Sequence, residues 1–111
     1  MWIMTKYGFY SVVSARTGQG GTGQPLDPER MLVRARIRAH LAAEQGRFPE
    51  LAASPILENQ TADYRYRMVV PKSTWAAIVG ALTEDIEYLK FKPAVAEEQG
   101  HAGEAYTHAL Y

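Results

Sequence analysis

The chain has 111 residues, 47% hydrophobic and 22% charged, a composition typical of one ordinary globular domain with enough length to bury a core. It contains no cysteine, which excludes a disulfide framework, a zinc-thiolate site and a cysteine nucleophile. Twelve Lys/Arg balance twelve Asp/Glu, which argues against polyanion binding through bulk charge. The distribution is uneven, because residues 1–75 hold ten of the basic residues and six acids, whereas 76–111 hold two and six. A basic body is thus followed by an acidic tail. The opening MWIMTKYGFYSVV has no basic leader, sustained apolar core or small-residue cleavage site, and no apolar window reaches membrane-spanning length. The expectation is a cytoplasmic protein that makes no use of a membrane.

In chain order, Trp2 to Ser14 is rich in aromatic and β-branched residues without a helical stripe, and predicts a long strand kinked at Gly8. Residues 16–28 are Gly-, Gln-, Thr- and Pro-rich and predict a flexible connection. Met31 to Ile37 alternates, with Met31, Val33, Ala35 and Ile37 on one side and Leu32, Arg34 and Arg36 on the other, Arg38 continuing the basic row. A strand fits this pattern better than a helix capped by Asp27 with Pro28 in its first turn, because a helix would scatter the arginines around its circumference. A helix is expected from about Arg38 to Arg47, then a short strand near Ser54–Glu58 and a turn at Asn59–Thr61. The next strand is expected to place Ala62, Tyr64, Tyr66, Met68 and Val70 on one face and Asp63, Arg65 and Arg67 on the other. Ser73 is a candidate N-cap for a helix with Trp75, Ile78, Val79, Leu82 and Ile86 at helical spacing. A brief edge strand at Tyr88–Lys92 and a helical tail over 94–111 complete the chain.

This succession predicts one domain over 1–111 of α+β class: a ferredoxin-like β-α-β-β-α-β plait with an extra N-terminal strand and a C-terminal helical tail. The segments MWIMTKYGFYSVV, MLVRARIRAHL, ADYRYRMVVPKSTWAAIVGAL and IEYLKFK together resemble a family of small uncharacterised bacterial proteins of ferredoxin-like type. The resemblance covers about two thirds of the chain and leaves out the glycine connection and the tail. It implies the fold and carries no established activity or catalytic residue.

Gly18, Gly20 and Gly23 in TGQGGTGQP have the spacing with which dinucleotide-binding enzymes cradle a pyrophosphate. The required helix does not follow, since Gln24-Pro25-Leu26-Asp27-Pro28 intervenes, and Gln24-Pro25 replaces the lysine and hydroxyl residue of a P-loop. A hairpin tip is the expected role. His101, Glu104 and His108 would share one face of an unbroken helix and could ligate a divalent ion, but Gly100 and Gly103 interrupt it, so no metal and no cofactor are expected. His40 is expected at the surface or as a cap. Glu84, Asp85 and Glu87 are expected to face water, and Ser11, Ser14, Ser54 and Ser73 lie in no nucleophile context. No catalytic residue is assigned, although Tyr64, Tyr66 and Tyr88 could act as acids if a pocket enclosed them.

The strongest candidate surface is the sheet face opposite the helices, lined by Arg34, Arg36, Arg65 and Arg67, with Arg38 beside them. Guanidinium forks suit carboxylates and phosphates, and Trp2, Tyr7, Phe9 or Tyr10, depending on strand parity, could stack alongside. The bland alternative is a solvated sheet side paired with Asp63 and Glu58, or a dimer face. The favoured reading is a non-catalytic binding module for an acidic protein or anionic ligand, assembled as a homodimer or higher oligomer. One alternative is a small enzyme or anionic-ligand domain with a pocket between sheet and tail. Another is a nucleic-acid binder, for which DYRYRMVV lacks the usual RNA-binding signature. The acidic tail is further expected to lie across the basic face.

Overall fold

The structure, a computed structural model, describes residues 1–18 and 23–100. Its elements are β1 (Trp2–Thr5), β2 (Gly8–Arg16), β3 (Leu26–Ala35), α1 (Arg38–Arg47), a 3-10 turn (Pro49–Ala53), β4 (Leu57–Glu58), β5 (Tyr66–Pro71), α2 (Lys72–Glu84) and α3 (Phe91–Gln99). The strands form one antiparallel sheet in the order β1-β2-β3-β5-β4, so the fold is α+β. The closing strand of a plait, expected at 88–92, does not form, and α3 starts at Phe91. Strand β2 already pairs with β3 on the side away from β5, leaving that segment no free edge beside β3, and Leu89 stands fully exposed.

The long N-terminal strand is in fact a hairpin. Thr5 Oγ1 accepts hydrogen bonds from the amides of Tyr7 (3.1 Å) and Gly8 (3.2 Å), closing a turn at Lys6–Tyr7 that no Asn-Gly signal announces. The β2–β3 ladder shifts register between Ser14 and Ala15, where β3 carries the extra residues. Pro28, which cannot donate to a ladder, falls in this break. The Asp27 carboxylate fills it by accepting from the Glu29 amide (2.9 Å) and Arg30 Nε (2.7 Å), so Asp27 serves a bulge rather than a helix. Strand β5 begins at Tyr66, four residues later than alternation suggests, because Asn59 organises a wider turn: its side chain accepts from Thr61 and its amide donates to the Arg65 carbonyl (2.7 Å). Ser73 does not cap α2. That helix starts at Lys72 after Pro71 without a side-chain cap.

One face of the sheet meets the helices. Tyr10 and Val12 of β2, Val33 and Ala35 of β3, and Met68 and Val70 of β5 pack against Leu41 and Phe48, Leu51 of the 3-10 turn, and Trp75, Ile78 and Leu82 of α2. The spacing of those α2 residues is one helical stripe, and each large side chain removed from water contributes roughly 1.5–3 kcal/mol. Ile86 lies beyond the helix end and is exposed.

His40 is buried, not at the surface. Its Nδ1 accepts from the Phe9 amide (3.3 Å), its backbone carbonyl accepts from the Tyr10 hydroxyl (2.7 Å), and its ring lies where a side chain on Gly8 would stand. Gly8 is therefore required by a close approach and not by a kink. One turn later on α1, Glu44 is completely buried with neither carboxylate oxygen hydrogen-bonded among the described residues, and burial pushes its pKa up to about 8. Tyr7, Asp85 and Arg47 tie the first hairpin, α2 and α1 together: the Tyr7 hydroxyl donates to Asp85 Oδ2 (2.8 Å), and Arg47 holds both Asp85 oxygens (2.8 and 2.9 Å). On α3, Ala94 and Val95 are buried and Gln99 donates to the Lys6 carbonyl (2.6 Å).

Two stability measurements check these packing relations. Gly8→Ala should destabilise the fold by about 1–3 kcal/mol through overpacking, with a smaller loss in a His40→Ala background, as read by a urea double-mutant cycle. Glu44, whose folded pKa of about 8 exceeds its reference value of 4.5, binds more protons folded than unfolded, so its contribution falls as pH rises through that range. Buried His40, with a pKa lowered from 6.5 by desolvation, has the opposite sign and acts below that value. Urea stability should therefore fall between pH 6.5 and 8, by at most about 1.4 kcal/mol per pH unit, and Glu44→Gln should flatten the slope.

Candidate functional site

Strand register settles which residues share the open sheet face. Trp2, Ser11, Arg34, Arg67 and Leu57 form one row across all five strands, because Trp2 pairs with Ser11, Ser11 with Arg34, Arg34 with Arg67, and Arg67 with Leu57. The adjoining row contains Val13, Leu32 and Val69. On the other side Met4 pairs with Phe9, which lies near Arg36. Of the candidate aromatics, Trp2 and Phe9 belong to this face, with ring centroids 6.2 Å apart, whereas Tyr10 is in the core and Tyr7 joins Asp85.

The arginines differ in how they are held. Arg34 Nη2 donates to Ser11 Oγ (2.7 Å), and the Arg34 and Arg36 guanidiniums lie 4.8 and 4.9 Å from the centre of the Tyr64 ring. Arg67 Nη2 donates to the Tyr64 carbonyl (3.1 Å). Tyr64 thus organises all three from the turn before β5, contrary to its expected place beside Tyr66, because strand alternation does not extend back to it. Carboxylates from Asp27, Asp85 and Glu58 neutralise Arg30, Arg47 and Arg65. Among the described residues none makes an ion pair with Arg34, Arg36 or Arg67.

Arg34 and Arg67 are therefore like charges directly opposite each other on neighbouring strands, an unfavourable cross-strand pair. Both Nε atoms are buried without a hydrogen-bond partner among the described residues. Burial and the neighbouring Arg34 charge push the Arg67 pKa down, although an arginine remains cationic at neutral pH. Ser11 Oγ accepts from Arg34 and, as a hydroxyl, retains a proton to donate. Beside this pair lies a trough of about 720 Å3 with Val13, Leu32, Val69 and Leu57 among its apolar walls, and Arg16, Gly18 and Arg30 towards its far rim. Its volume is that of a small-molecule site, and no acidic side chain lines it among the described residues.

Arg65 is occupied by Glu58 Oε1 (2.6 Å), and Arg38 opens α1 instead of continuing the strand row. The glycine motif is only partly described: Gly18 takes φ +61° at the rim, while Gly20 lies outside the described residues. His101, Glu104 and His108 lie outside them too. Among the described residues, no three His, Asp or Glu side chains converge to hold a metal. Asp85 is engaged by Tyr7 and Arg47 rather than simply facing water, and Ser54 donates its amide in the 3-10 turn. The described part of the tail, α3, ends at the Lys6 turn beside buried His40, not across the arginines, and the trough's lining among the described residues comes from the strands and the ends of the β2–β3 connection. The sequence suggests Ser11 and Tyr64 only as catalytic candidates, not as holders of the arginines, and does not announce the Val13–Leu32–Val69 floor. The floor's available signal is that Leu32 and Val69 put apolar side chains on the arginine side of both alternating segments.

No family model, curated protein or solved structure matches the chain. No described helix is long and apolar enough to cross a membrane.

If the Arg34–Arg67 juxtaposition is unfavourable in the free protein, Arg67→Met should leave stability unchanged or raise it by up to about 1 kcal/mol, with the gain larger at low salt. Thermal denaturation at two ionic strengths checks this; a loss exceeding that of Arg65→Met at both would show that Arg67 acts as a structural tie.

Proposed function

We propose that this protein is a non-catalytic binding module whose open sheet face receives anionic groups from an acidic partner. The observation that carries the reading is the Arg34–Arg67 pair, opposed across two strands, partly desolvated and unneutralised while Arg30, Arg47 and Arg65 each have a carboxylate. An incoming carboxylate or phosphate would relieve the repulsion and accept from the guanidinium nitrogens that remain accessible. Arg36, beside Tyr64 and Phe9, extends the cationic surface, and exposed Trp2 offers an apolar edge. Arg65 and Arg38 are peripheral in this reading.

Self-association through the same face is the second reading, supported by the exposure of Trp2, Met4, Val13 and Leu57 on one side of the sheet. The plait-like reading of the fold is supported by the β3-β5-β4 arrangement, with β2 in the position of a closing strand.

An N-acetylated oligoglutamate peptide titrated at low salt tests the binding proposal, with Trp2 and Trp75 as the fluorophores and Trp2 close to the arginines. Saturable binding that weakens with salt and falls about tenfold or more in Arg34→Gln and Arg67→Gln supports it. Binding unchanged in both variants overturns it. Native mass spectrometry separates the second reading: a stable dimer lost in Trp2→Ser and Leu57→Ser, with no peptide bound, assigns the face to self-association.

A further inference from the structure

We infer that the Arg34–Arg67 pair and its adjoining trough form a seat for the phosphate monoester of a compact apolar group. This rests on the reading of the open face as an anion-binding surface and names the ligand class.

The head group follows from charge and donor count. Arg34 and Arg67 place two positive charges opposite each other, with one Nη2 of each already committed to Ser11 and Tyr64. A carboxylate brings one negative charge, whereas a phosphate monoester carries about −1.5 to −2 at pH 7 and three acceptor oxygens. Only the latter approaches neutralisation of the pair and carries enough acceptor oxygens to face two guanidiniums at once. Binding therefore requires no folded-state carboxylate to move aside, since none is paired with either arginine among the described residues.

The body of the ligand follows from the trough. Val13, Leu32 and Val69 lie one strand repeat beyond the arginine row, on the same face, and Leu57 stands at its edge. A group leaving the phosphate in that direction meets hydrocarbon. At the far rim Arg30 is held by Asp27, and Arg16, which donates to the Gln24 carbonyl, is exposed to water and faces no like charge across a strand pair, so that end differs from the opposed and partly desolvated Arg34–Arg67 pair. The about 720 Å3 available accommodates an aryl or short alkyl group.

Phenyl phosphate is the probe, compared with benzoate, phenol and inorganic phosphate by calorimetry on the full chain. The expected order is phenyl phosphate tightest, by at least about tenfold over both benzoate and inorganic phosphate, with Arg67→Gln and Leu32→Ser each removing most of that preference. Arg34→Lys and Arg67→Lys, which retain charge without the fork, provide milder variants, and circular dichroism verifies that each protein is folded. The pH profile supplies an independent readout. The charged groups facing the seat are arginines, Arg34, Arg67 and Arg36 with Arg16, the Asp27-paired Arg30 and the Glu58-paired Arg65 around them, and no His, Asp or Glu lines the trough among the described residues, so affinity should rise across the monoester's second pKa of about 6 while benzoate affinity stays flat.

If oligoglutamate binds through Arg34 and Arg67 but phenyl phosphate binds no more tightly than benzoate, the phosphate-monoester assignment is wrong and the anion-binding reading survives. If no anion binds in an arginine-dependent manner, both fall. Equal binding of inorganic phosphate and phenyl phosphate also overturns the inference, because it assigns no role to the trough.

Discussion

The antiparallel register of β3 against β5 sets Val33 opposite Met68 on one face and Arg34 opposite Arg67 on the other. The first pair lies in the core beneath the helices, and the second is the cationic pair of the open face. A slip by one residue would exchange the two sets and drive guanidiniums into the hydrocarbon, so burial of Val33, Ala35, Met68 and Val70 enforces the arginine juxtaposition. The repulsion between Arg34 and Arg67 is thus held in place by the hydrophobic effect on the reverse side of the same strands. A surface arginine pair on loops could turn apart; these are anchored on central β3 and its neighbour, with Ser11 and Tyr64 gripping one nitrogen of each.

Other polar groups are treated differently. Asp27, Glu58 and Asp85 each meet an arginine at a place where the chain changes direction or elements join, so their ion pairs tie local structure together. The buried, unpartnered Glu44 carboxyl has no such partner and is accommodated in its protonated form, which couples the fold to pH without involving the open face. The unsatisfied ionisable groups among the described residues therefore fall into two settings, a carboxyl on α1 that can become neutral by retaining a proton and guanidiniums that cannot shed their charge, beside the uncharged Trp75 Nε1 of α2. Only the second setting keeps its charge at neutral pH without a carboxylate partner among the described residues.

Much of this arrangement was legible in local pattern. Period-two alternation predicted strands over Met31–Ile37 and Ala62–Val70, which coincide with β3 and β5 over Met31–Ala35 and Tyr66–Val70, and put Arg34 and Arg67 on their polar sides, while Trp75, Ile78 and Leu82 marked the buried stripe of α2. Alternation failed where side chains replaced the expected turn chemistry. Thr5 split the first strand, Asn59 widened the turn before β5, and the register break beside Pro28 lengthened β3. Tyr64 was misassigned for that reason, and His40 because its burial depends on Gly8 leaving room on a neighbouring strand.

By itself, the sequence determined the strand and helix periods of the central elements, the apolar faces they bury, the absence of thiol chemistry and the cationic character of one sheet side. These follow from spacing and composition, which are local. Only the tertiary structure decided that Arg34 opposes Arg67, that Asp27, Asp85 and Glu58 neutralise other arginines, that β2 takes the position beside β3, and that Val13, Leu32 and Val69 floor a trough next to the pair. The physical reason is that alternation specifies a residue's side of its own strand, whereas its neighbours depend on strand order and register, which the packing of the whole sheet against its helices selects.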